Sequence, residues 1–305
     1  MTSRQSILLT GVSGFIATHL LSHVESTGCL PAEQFVLLTS RPNNSRYRCV
    51  EHSDYCFNEG ALQRAEVAEF DAVIHLGAYT PKSGVDANRV DACTANISNT
   101  LRLLSQLKPR PRRFVFASTV DVYGPSEVPI CEATVEKPGT LYGASKLFGE
   151  RLVENWCREN GVLPQILRIG HVYGRGEQAY RKLIPETIRR LLHGERPVIY
   201  TDGSERRSFL HVTDCVRAII ASLCMETYPG PINIASGRAY TIRQIVDELV
   251  RVSGSNLVAE VRGEAKARSD VVFDNAKMEQ WLVGETISIE NGLRDEYNYV
   301  EALFK

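Results

Sequence analysis

Short, almost continuous apolar runs alternate with longer segments of helical periodicity over the first 170 residues of the chain. Apolar runs of this length, bounded by turn-forming residues, are typical of strands that are covered on both faces of a sheet. We expect strands at residues 6–10, 35–39, 71–76, 113–118 and 165–169, and helices at residues 15–25, 86–107 and 142–160. This alternation predicts parallel strands joined by right-handed crossovers. The expected fold class is therefore α/β, with a doubly wound parallel sheet.

The pattern changes beyond about residue 173, where glycine, proline and charged residues become frequent and the helical segments shorten. We interpret this part as a smaller C-terminal lobe. The predicted division places the sheet-forming domain at residues 1–173, with returning segments at about 209–235, and the smaller lobe mainly at residues 174–305.

Composition and charge narrow the function classes. The chain is 43% hydrophobic and 23% charged, which is typical of a globular protein. With 35 basic and 36 acidic residues, and no basic block, it is not expected to bind nucleic acid. No apolar run approaches the roughly 18 residues of a membrane span, and the N-terminus does not resemble a signal peptide. The eight cysteines lack CxxC spacing, so we expect a cytoplasmic protein with reduced thiols and no metal.

The first predicted strand runs directly into a glycine turn, Gly11-Val12-Ser13-Gly14, which is followed by the first predicted helix. Glycine tolerates the backbone angles of such a turn and lets a pyrophosphate approach the backbone. The free amide groups and the dipole at the start of the helix attract negative charge. The turn therefore predicts a dinucleotide-binding first domain.

The end of the second predicted strand bears on the choice of dinucleotide. An acidic residue there holds the ribose hydroxyls of NAD, whereas a basic residue accommodates the 2′-phosphate of NADP. The strand ends in Thr39, Ser40 and Arg41, without a carboxylate. A guanidinium and a hydroxyl suit a phosphate, so we expect NADP, with NAD possible. The alternative is that Arg41 is a solvated loop residue.

A tyrosine and a lysine lie one helical turn apart at the start of a predicted helix, at Tyr142 and Lys146. A nearby ammonium group favours the phenolate form of tyrosine and is expected to lower its pKa. About twenty residues earlier, a predicted strand ends at Ser118 and Thr119. Its carboxyl end faces the cofactor crevice of a doubly wound sheet, so a hydroxyl there could bind the same substrate oxygen as Tyr142.

Taken together, these motifs resemble the extended short-chain dehydrogenase/reductases of the NAD-dependent epimerase/dehydratase family. The resemblance covers nearly the whole chain and is carried, in order, by GVSGFIA, DAVIHLGA, NISNTLRLL, FVFASTVDVYG, YGASKLFGE, LRIGHVYG, RRSFLHVTD and INIAS. It implies a Rossmann domain with a smaller substrate-binding lobe, an action on nucleoside-diphosphate sugars, and a homodimer through the central helices.

The resemblance also implies residue roles. Thr119 would be the catalytic hydroxyl, Tyr142 the acid/base and Lys146 its electrostatic partner. The cofactor would contact Gly11, Gly14, Phe15, Ile16, Leu76, Gly77, Ala78, Tyr142 and Lys146, in addition to Ser40 and Arg41. The substrate would contact Thr80, Thr119, Asp121, His171 and Arg207, and the pocket would be shaped further by Tyr79, Arg175 and Arg181.

Several chemistries fit this resemblance. Family members that dehydrate sugars carry an acid where this chain has Val120, so dehydration is not expected. The expected NADP favours a reductase of a keto group on a nucleotide-linked deoxysugar, since reductases must exchange their cofactor. The alternative is an epimerase with tightly bound NAD. A non-catalytic NADP-binding sensor is a further alternative, although such proteins usually lose the tyrosine–lysine pair that is intact here.

Overall fold

The computed structural model describes residues 6–41, 46–177, 180, 182–264 and 270–305 of the chain. Within these ranges, no helix is both long and apolar enough to cross a membrane. In the same ranges, no group of three or more histidine, cysteine, aspartate or glutamate side chains is arranged to hold a metal ion.

Strands and helices alternate in the first part of the chain, as the apolar pattern predicts. In chain order they are β1 (Ile7–Thr10), α1 (Phe15–Thr27), β2 (Phe35–Thr39), β3 (Arg48–Glu51), α2 (Glu59–Arg64), β4 (Ala72–His75), α3 (Val90–Gln106), β5 (Arg113–Thr119), α4 (Leu141–Asn160) and β6 (Leu163–Ile169). The elements that follow are β7 (His171–Tyr173), α5 (Leu183–Leu192), β8 (Val198–Ile199), β9 (Arg206–His211), α6 (Val212–Ser222), β10 (Ile232–Ile234), β11 (Ala239–Thr241), α7 (Ile242–Ser253), β12 (Glu260–Val261), α8 (Ala276–Trp281) and α9 (Ile289–Phe304).

Seven strands form one sheet in the order β10-β6-β5-β4-β1-β2-β3. The pairs within β5-β4-β1-β2-β3 are parallel, with Ile7 of β1 opposite both Phe35 of β2 and Ala72 of β4. The order moves outward from β1 in both directions, which confirms the predicted doubly wound α/β class. Strand β3 was not predicted, because only Val50 among its four residues is buried and no apolar run marks it.

The apolar runs are continuous because the central strands are covered on both faces. Every residue of β1 and β4 is buried. Leu8, Val73 and Phe114 belong to a core cluster that also contains Leu103 of α3 and Val153 of α4. Each square ångström of apolar surface removed from water stabilises the fold by about 25 cal/mol. This packing fixes the carboxyl ends of β1, β4 and β5 along one edge of the sheet.

Two compact units divide the chain, and each contains segments that are distant in sequence. The first comprises Met1–Val122, Glu136–Arg168 and Val216–Ile232, and the second comprises Tyr123–Val135, Ile169–Cys215 and Asn233–Lys305. The second unit contains a three-stranded sheet, β11-β9-β7, and a two-stranded sheet, β12-β8. Its core includes Tyr173, Ile188, Leu249, Leu293 and Tyr297. The assignment of substrate binding to a C-terminal lobe stays a prediction.

A buried carboxyl group lies within this second unit. Glu296 on α9 is fully buried, and neither of its carboxyl oxygens has a hydrogen-bond partner among the described residues. Burial, and the nearby carboxylate of Glu177, raise the pKa of Glu296 well above its ordinary value. The folded protein therefore holds this proton at a pH where a glutamate in an unfolded chain has lost it.

We expect the free energy of unfolding to fall as the pH rises above the ordinary glutamate value of 4.5. The unfolded chain loses the Glu296 proton first, so rising pH favours unfolding until the folded protein loses it as well. Glu296→Gln, which keeps the shape but cannot ionise, should reduce this slope in urea titrations across that range. Glu290→Gln, at an exposed position on the same helix, is the control. Equal slopes for wild type and Glu296→Gln would contradict the assignment.

Candidate functional site

The glycine turn lies at the carboxyl edge of the sheet, between β1 and α1. Gly11 has a φ of +71°, and a Cβ there would lie 2.6 Å from the amide nitrogen of Gly77. Both the backbone angle and the contact require glycine. Since Thr10 is in register with His75, the segment Leu76–Gly77–Ala78 after β4 lies directly beside the turn. The structure thus brings together two of the predicted cofactor-binding segments.

The start of α1 is open to an anion. Gly14 is the N-cap and donates its amide to the carbonyl of Gly11 at 2.8 Å. No side chain caps this helix end, and its first turn, which begins with Phe15 and Ile16, carries no acidic residue. The backbone amides at a helix start and the helix dipole suit a phosphate group. The turn and the helix end therefore fit the pyrophosphate of a dinucleotide.

A buried hydrogen-bond network, which the sequence did not reveal, supports this edge from below. The hydroxyl of Thr10 accepts a hydrogen bond from the amide of Gly77 at 3.0 Å. Because the Thr100 hydroxyl gives its proton to the carbonyl of Asn96, Nε2 of the His75 ring donates to Thr100 at 3.1 Å, and Nδ1 accepts from Thr10 at 2.7 Å. Burial lowers the pKa of His75 to about 3, so the ring is neutral.

The predicted determinants of dinucleotide choice, Ser40 and Arg41, are exposed at the end of β2. The Arg41 amide donates to Oγ1 of Thr39 at 3.1 Å. Sequence reasoning found no carboxylate here, because it missed β3. In the structure Thr39 is in register with Glu51, which is exposed at the end of β3. A guanidinium and a carboxylate therefore both stand at this end of the sheet.

Tyr142 lies in the first turn of α4, on the same edge. Thr140 caps this helix by accepting from the amide of Gly143 at 3.1 Å. Gly143 packs directly against the backbone carbonyl of Asp121, a contact that leaves no room for a Cβ. The helix start is thereby held against the segment that follows β5. The Tyr142 side chain is buried, and the hydroxyls of Thr80 and Thr119 lie near enough to its phenol to affect its pKa.

The electrostatics of Tyr142 differ from the sequence-based expectation. Burial and the carboxylate of Asp121 raise the pKa of Tyr142, and the nearby hydroxyls of Thr80 and Thr119 offset this only in part. The expected lowering of the Tyr142 pKa by Lys146 is therefore wrong, since helical spacing reveals neither the burial of the phenol nor the nearby Asp121. Surrounding protein atoms also raise the pKa of Asp121, although its side chain remains accessible to solvent.

Lys146 lies one turn further along α4 and is only 4% exposed. Its Nζ lies 4.3 Å from the centre of the Phe116 ring. Burial lowers the pKa of Lys146 to about 7, against a raising effect of the Glu150 carboxylate. The ammonium and neutral forms are therefore of similar population near neutral pH.

The structure distinguishes the two hydroxyls at the end of β5. Ser118 donates to Oε1 of Glu150 at 2.5 Å and is buried. Thr119 accepts from the amide of Asp121 at 3.2 Å and contacts the Tyr142 phenol. Thr119, rather than Ser118, is thus placed beside the acid/base candidate, together with Thr80.

The remaining substrate candidates, His171 and Arg207, lie in the second unit. His171 of β7 is opposite Phe209 of β9, and Arg207 is two residues away on the same strand. Burial lowers the pKa of His171 to about 4, with further contributions from Arg207 and Lys182. The imidazole is therefore neutral beside a guanidinium.

Two of the three residues suggested as shaping the pocket, Tyr79 and Arg175, lie within the described part of the chain, and their role stays a prediction. The Tyr79 hydroxyl donates to the backbone carbonyl of Asp86 at 3.0 Å, which fixes its ring. Arg175 forms an ion pair with Asp295 of α9. Arg181 lies outside the described residues.

The glycine turn, the open helix end and the buried phenol on one sheet edge define a class, the dinucleotide-dependent enzymes built on a Rossmann fold. The model of the NAD dependent epimerase/dehydratase family matches residues 7–235, and the chain belongs to that family. It is accordingly an enzyme of the extended short-chain dehydrogenase/reductase type.

Relatives and solved structures agree with this family. The chain is 27% identical to an uncharacterized UDP-glucose epimerase of Bacillus subtilis, over 98% of this chain and 99% of the relative. It is also 27% identical to the human dTDP-D-glucose 4,6-dehydratase, over 88% and 78% of the two chains. UDP-glucose 4-epimerase of Thermotoga maritima superimposes with a TM-score of 0.83 at 25% identity, over 99% of this chain and 100% of that one. UDP-glucuronic acid 4-epimerase of Bacillus cereus, in complex with UDP-glucuronic acid and NAD, gives 0.80 at 25% identity, over 98% and 100%.

Proposed function

We propose that the protein is a nucleotide-sugar epimerase, which inverts one hydroxyl-bearing carbon by oxidising it and reducing it again with a retained NAD. The epimerases among its relatives favour this alternative over the reductase. The observation that carries the proposal is the buried Tyr142 phenol, near the hydroxyls of Thr119 and Thr80, on the sheet edge that also bears the glycine turn.

The chain's own residues would move the proton in this reaction. A bound NAD would supply reversible hydride transfer at the sugar carbon, which allows oxidation and then reduction from the other face. Tyr142 accepts the hydroxyl proton as the carbon becomes a ketone, and gives it back as the alcohol reforms. Thr119 and Thr80 would hold the phenol and the sugar oxygen, and the ammonium of Lys146, one helical turn away, would offset part of the effect of burial and Asp121, which disfavour the phenolate.

Substrate contacts are assigned by the same reasoning. Asp121 is accessible beside Tyr142 and could bind a sugar hydroxyl. Arg207 suits a diphosphate because its guanidinium supplies positive charge and several donors, and the neutral imidazole of His171 can add one N–H donor. Dehydration is not proposed, since Val120, at the position of the dehydratases' acid, is a buried apolar residue.

The function is tested with purified protein and no added dinucleotide. The bound nucleotide is released and quantified, and the protein is incubated with UDP-glucose or UDP-glucuronic acid. We expect about one NAD per chain and formation of the 4-epimer of at least one substrate. Protein that lacks NAD, yet oxidises NADPH in the presence of a 4-keto nucleotide sugar, would replace this proposal with the reductase. A protein that neither retains NAD and forms an epimer nor oxidises NADPH with such a substrate would contradict both the epimerase and the reductase.

The reductase stays a second candidate because of the exposed Arg41 at the end of β2. If its guanidinium holds a 2′-phosphate, Arg41→Ala should weaken NADP binding by about 10-fold or more and leave NAD binding within about twofold. Fluorescence titrations with both dinucleotides measure this. Arg102→Ala, at an exposed position on α3, is the control. Equal losses for NAD and NADP would remove the reason to expect NADP, and Glu51 would then be the residue to test for ribose binding.

We propose further that two copies associate through α3 and α4. These helices pack side by side, and they leave Leu101 and Phe148 with 53% and 55% of their surfaces exposed. A sedimentation mass of one chain would contradict this.

A cytoplasmic location is supported by the eight cysteines, all of which are free thiols.

A further inference from the structure

Helix α4 packs on strand β5, and successive turns of the helix after Tyr142 contact successive residues on one face of the strand. Lys146 stacks on the ring of Phe116, and one helical turn later Glu150 accepts from Ser118, two residues further along the strand. Gly149 permits this close approach, because a Cβ there would lie 2.8 Å from the Phe116 ring. Lys146 and Glu150 therefore lie on one face of the helix, above one face of the strand.

Glu150 is fully buried and held on both carboxylate oxygens. Besides Ser118, its partners are Nε of Arg168 at 3.0 Å and Nη2 of Arg168 at 2.7 Å. Arg168 is itself buried and also pairs with Glu136, which pairs in turn with Arg151. Such a carboxylate cannot rotate away or gain water, so its charge is fixed one turn behind Lys146.

The titratable groups around Lys146 differ in charge and therefore in their effect on its pKa. From β4, His75 is neutral and buried. On the same helix as Lys146, Tyr142 is a neutral phenol because its pKa is raised. Glu150, also on this helix, is the charged group that raises the pKa of Lys146. Beyond Glu150, Arg168 from β6 and Glu136 carry opposite charges. Burial alone would favour a neutral lysine, so Glu150 supplies the compensating charge.

We propose that Glu150, held by Arg168 and Ser118, is a positioning residue that favours the ammonium form of Lys146, one helical turn from the acid/base tyrosine. This rests on the role of Lys146 in the proposed function. It also gives the buried ion pair of α4 and β6 a part in catalysis, in addition to packing.

The test compares Glu150→Gln with the wild type. If the ammonium form is required, activity falls as the pH rises through the pKa of Lys146, and this alkaline limb of kcat/KM should move to lower pH by about one unit or more in the variant. Glu150→Asp, which keeps the charge, should restore the limb to within a few tenths of a unit. If kcat/KM of Glu150→Gln were lower than that of the wild type but its alkaline limb lay at the same pH, the proposal would be overturned and Glu150 would have only a packing role.

A second readout needs no sugar turnover, so it separates failure of this inference from failure of the proposed function. In a double-mutant cycle of Lys146→Met and Glu150→Gln, the coupling in unfolding stability should be present below about pH 7 and vanish above it, as the lysine loses its charge. Coupling that is independent of pH would overturn the proposal. If Glu150→Gln does not fold, Glu136→Gln, at a partly exposed position, replaces it. Glu136→Gln should move the alkaline limb of kcat/KM to lower pH by less than about one unit, and an unmoved limb would overturn the proposal.

Discussion

Tyr142→Phe should reduce turnover by about 10³-fold while leaving dinucleotide affinity within about twofold of wild type. The phenol proton is the one that the reaction must take up and return, and phenylalanine keeps the ring that packs against Ala87 and Cys93. The loss should therefore fall on kcat rather than on binding. Steady-state kinetics and a dinucleotide titration on the same preparation measure both quantities.

Tyr123→Phe is the matched control for this substitution. Tyr123 is buried to a similar extent, 6% exposed against 7% for Tyr142, and its hydroxyl donates to Asn233 at 2.9 Å. Its loss should cost about 1 kcal/mol of stability with no comparable fall in turnover. Equal kinetic effects of the two substitutions, or loss of dinucleotide binding in Tyr142→Phe, would contradict the role assigned to Tyr142.

Gly11→Ala should weaken dinucleotide binding by about 100-fold or more. Alanine at a φ of +71° is strained by roughly 1–2 kcal/mol. Its Cβ would also meet the backbone of Gly77 at 2.6 Å, which would push apart the two segments that lie beside each other at the cofactor edge. Binding is measured by fluorescence titration at a temperature where the variant is folded.

Gly28→Ala separates strain from displacement. Gly28 has a φ of +64° at the end of α1, and a Cβ there meets nothing within 4 Å. This control should lose a similar amount of stability from strain alone and bind dinucleotide normally. If Gly11→Ala bound as well as Gly28→Ala, the turn would not be the phosphate site.

The sequence predicted the central fold because that part of it depends on local pattern. Strands such as β1 and β4 are buried on both faces, and burial on both faces produces the continuous apolar runs from which they were predicted. Strand β3 was missed for the opposite reason, since three of its four residues are not fully buried. Glu51 was missed with it, and so was a carboxylate beside the end of β2.

The site was predictable where spacing along the chain sets the geometry. Tyr142 and Lys146 are one turn apart on any helix, and a glycine turn after a first strand has a fixed place in a parallel sheet. What could not be predicted depends on residues distant in sequence. Glu150 is hydrogen-bonded to Arg168 and Ser118, which are distant from it in sequence. The pKa of Tyr142 rises, rather than falls, because of burial and the carboxylate of Asp121.

The central claim is that Tyr142 and a dinucleotide act on the same sugar carbon, and a crystal structure with NAD and a nucleotide sugar tests it most directly. The prediction is a Tyr142 phenol oxygen within hydrogen-bond reach, about 2.6–3.2 Å, of a sugar hydroxyl whose carbon lies about 3–3.5 Å from the nicotinamide. A phenol directed away from the sugar, or a dinucleotide bound elsewhere than at the Gly11 turn, would contradict it.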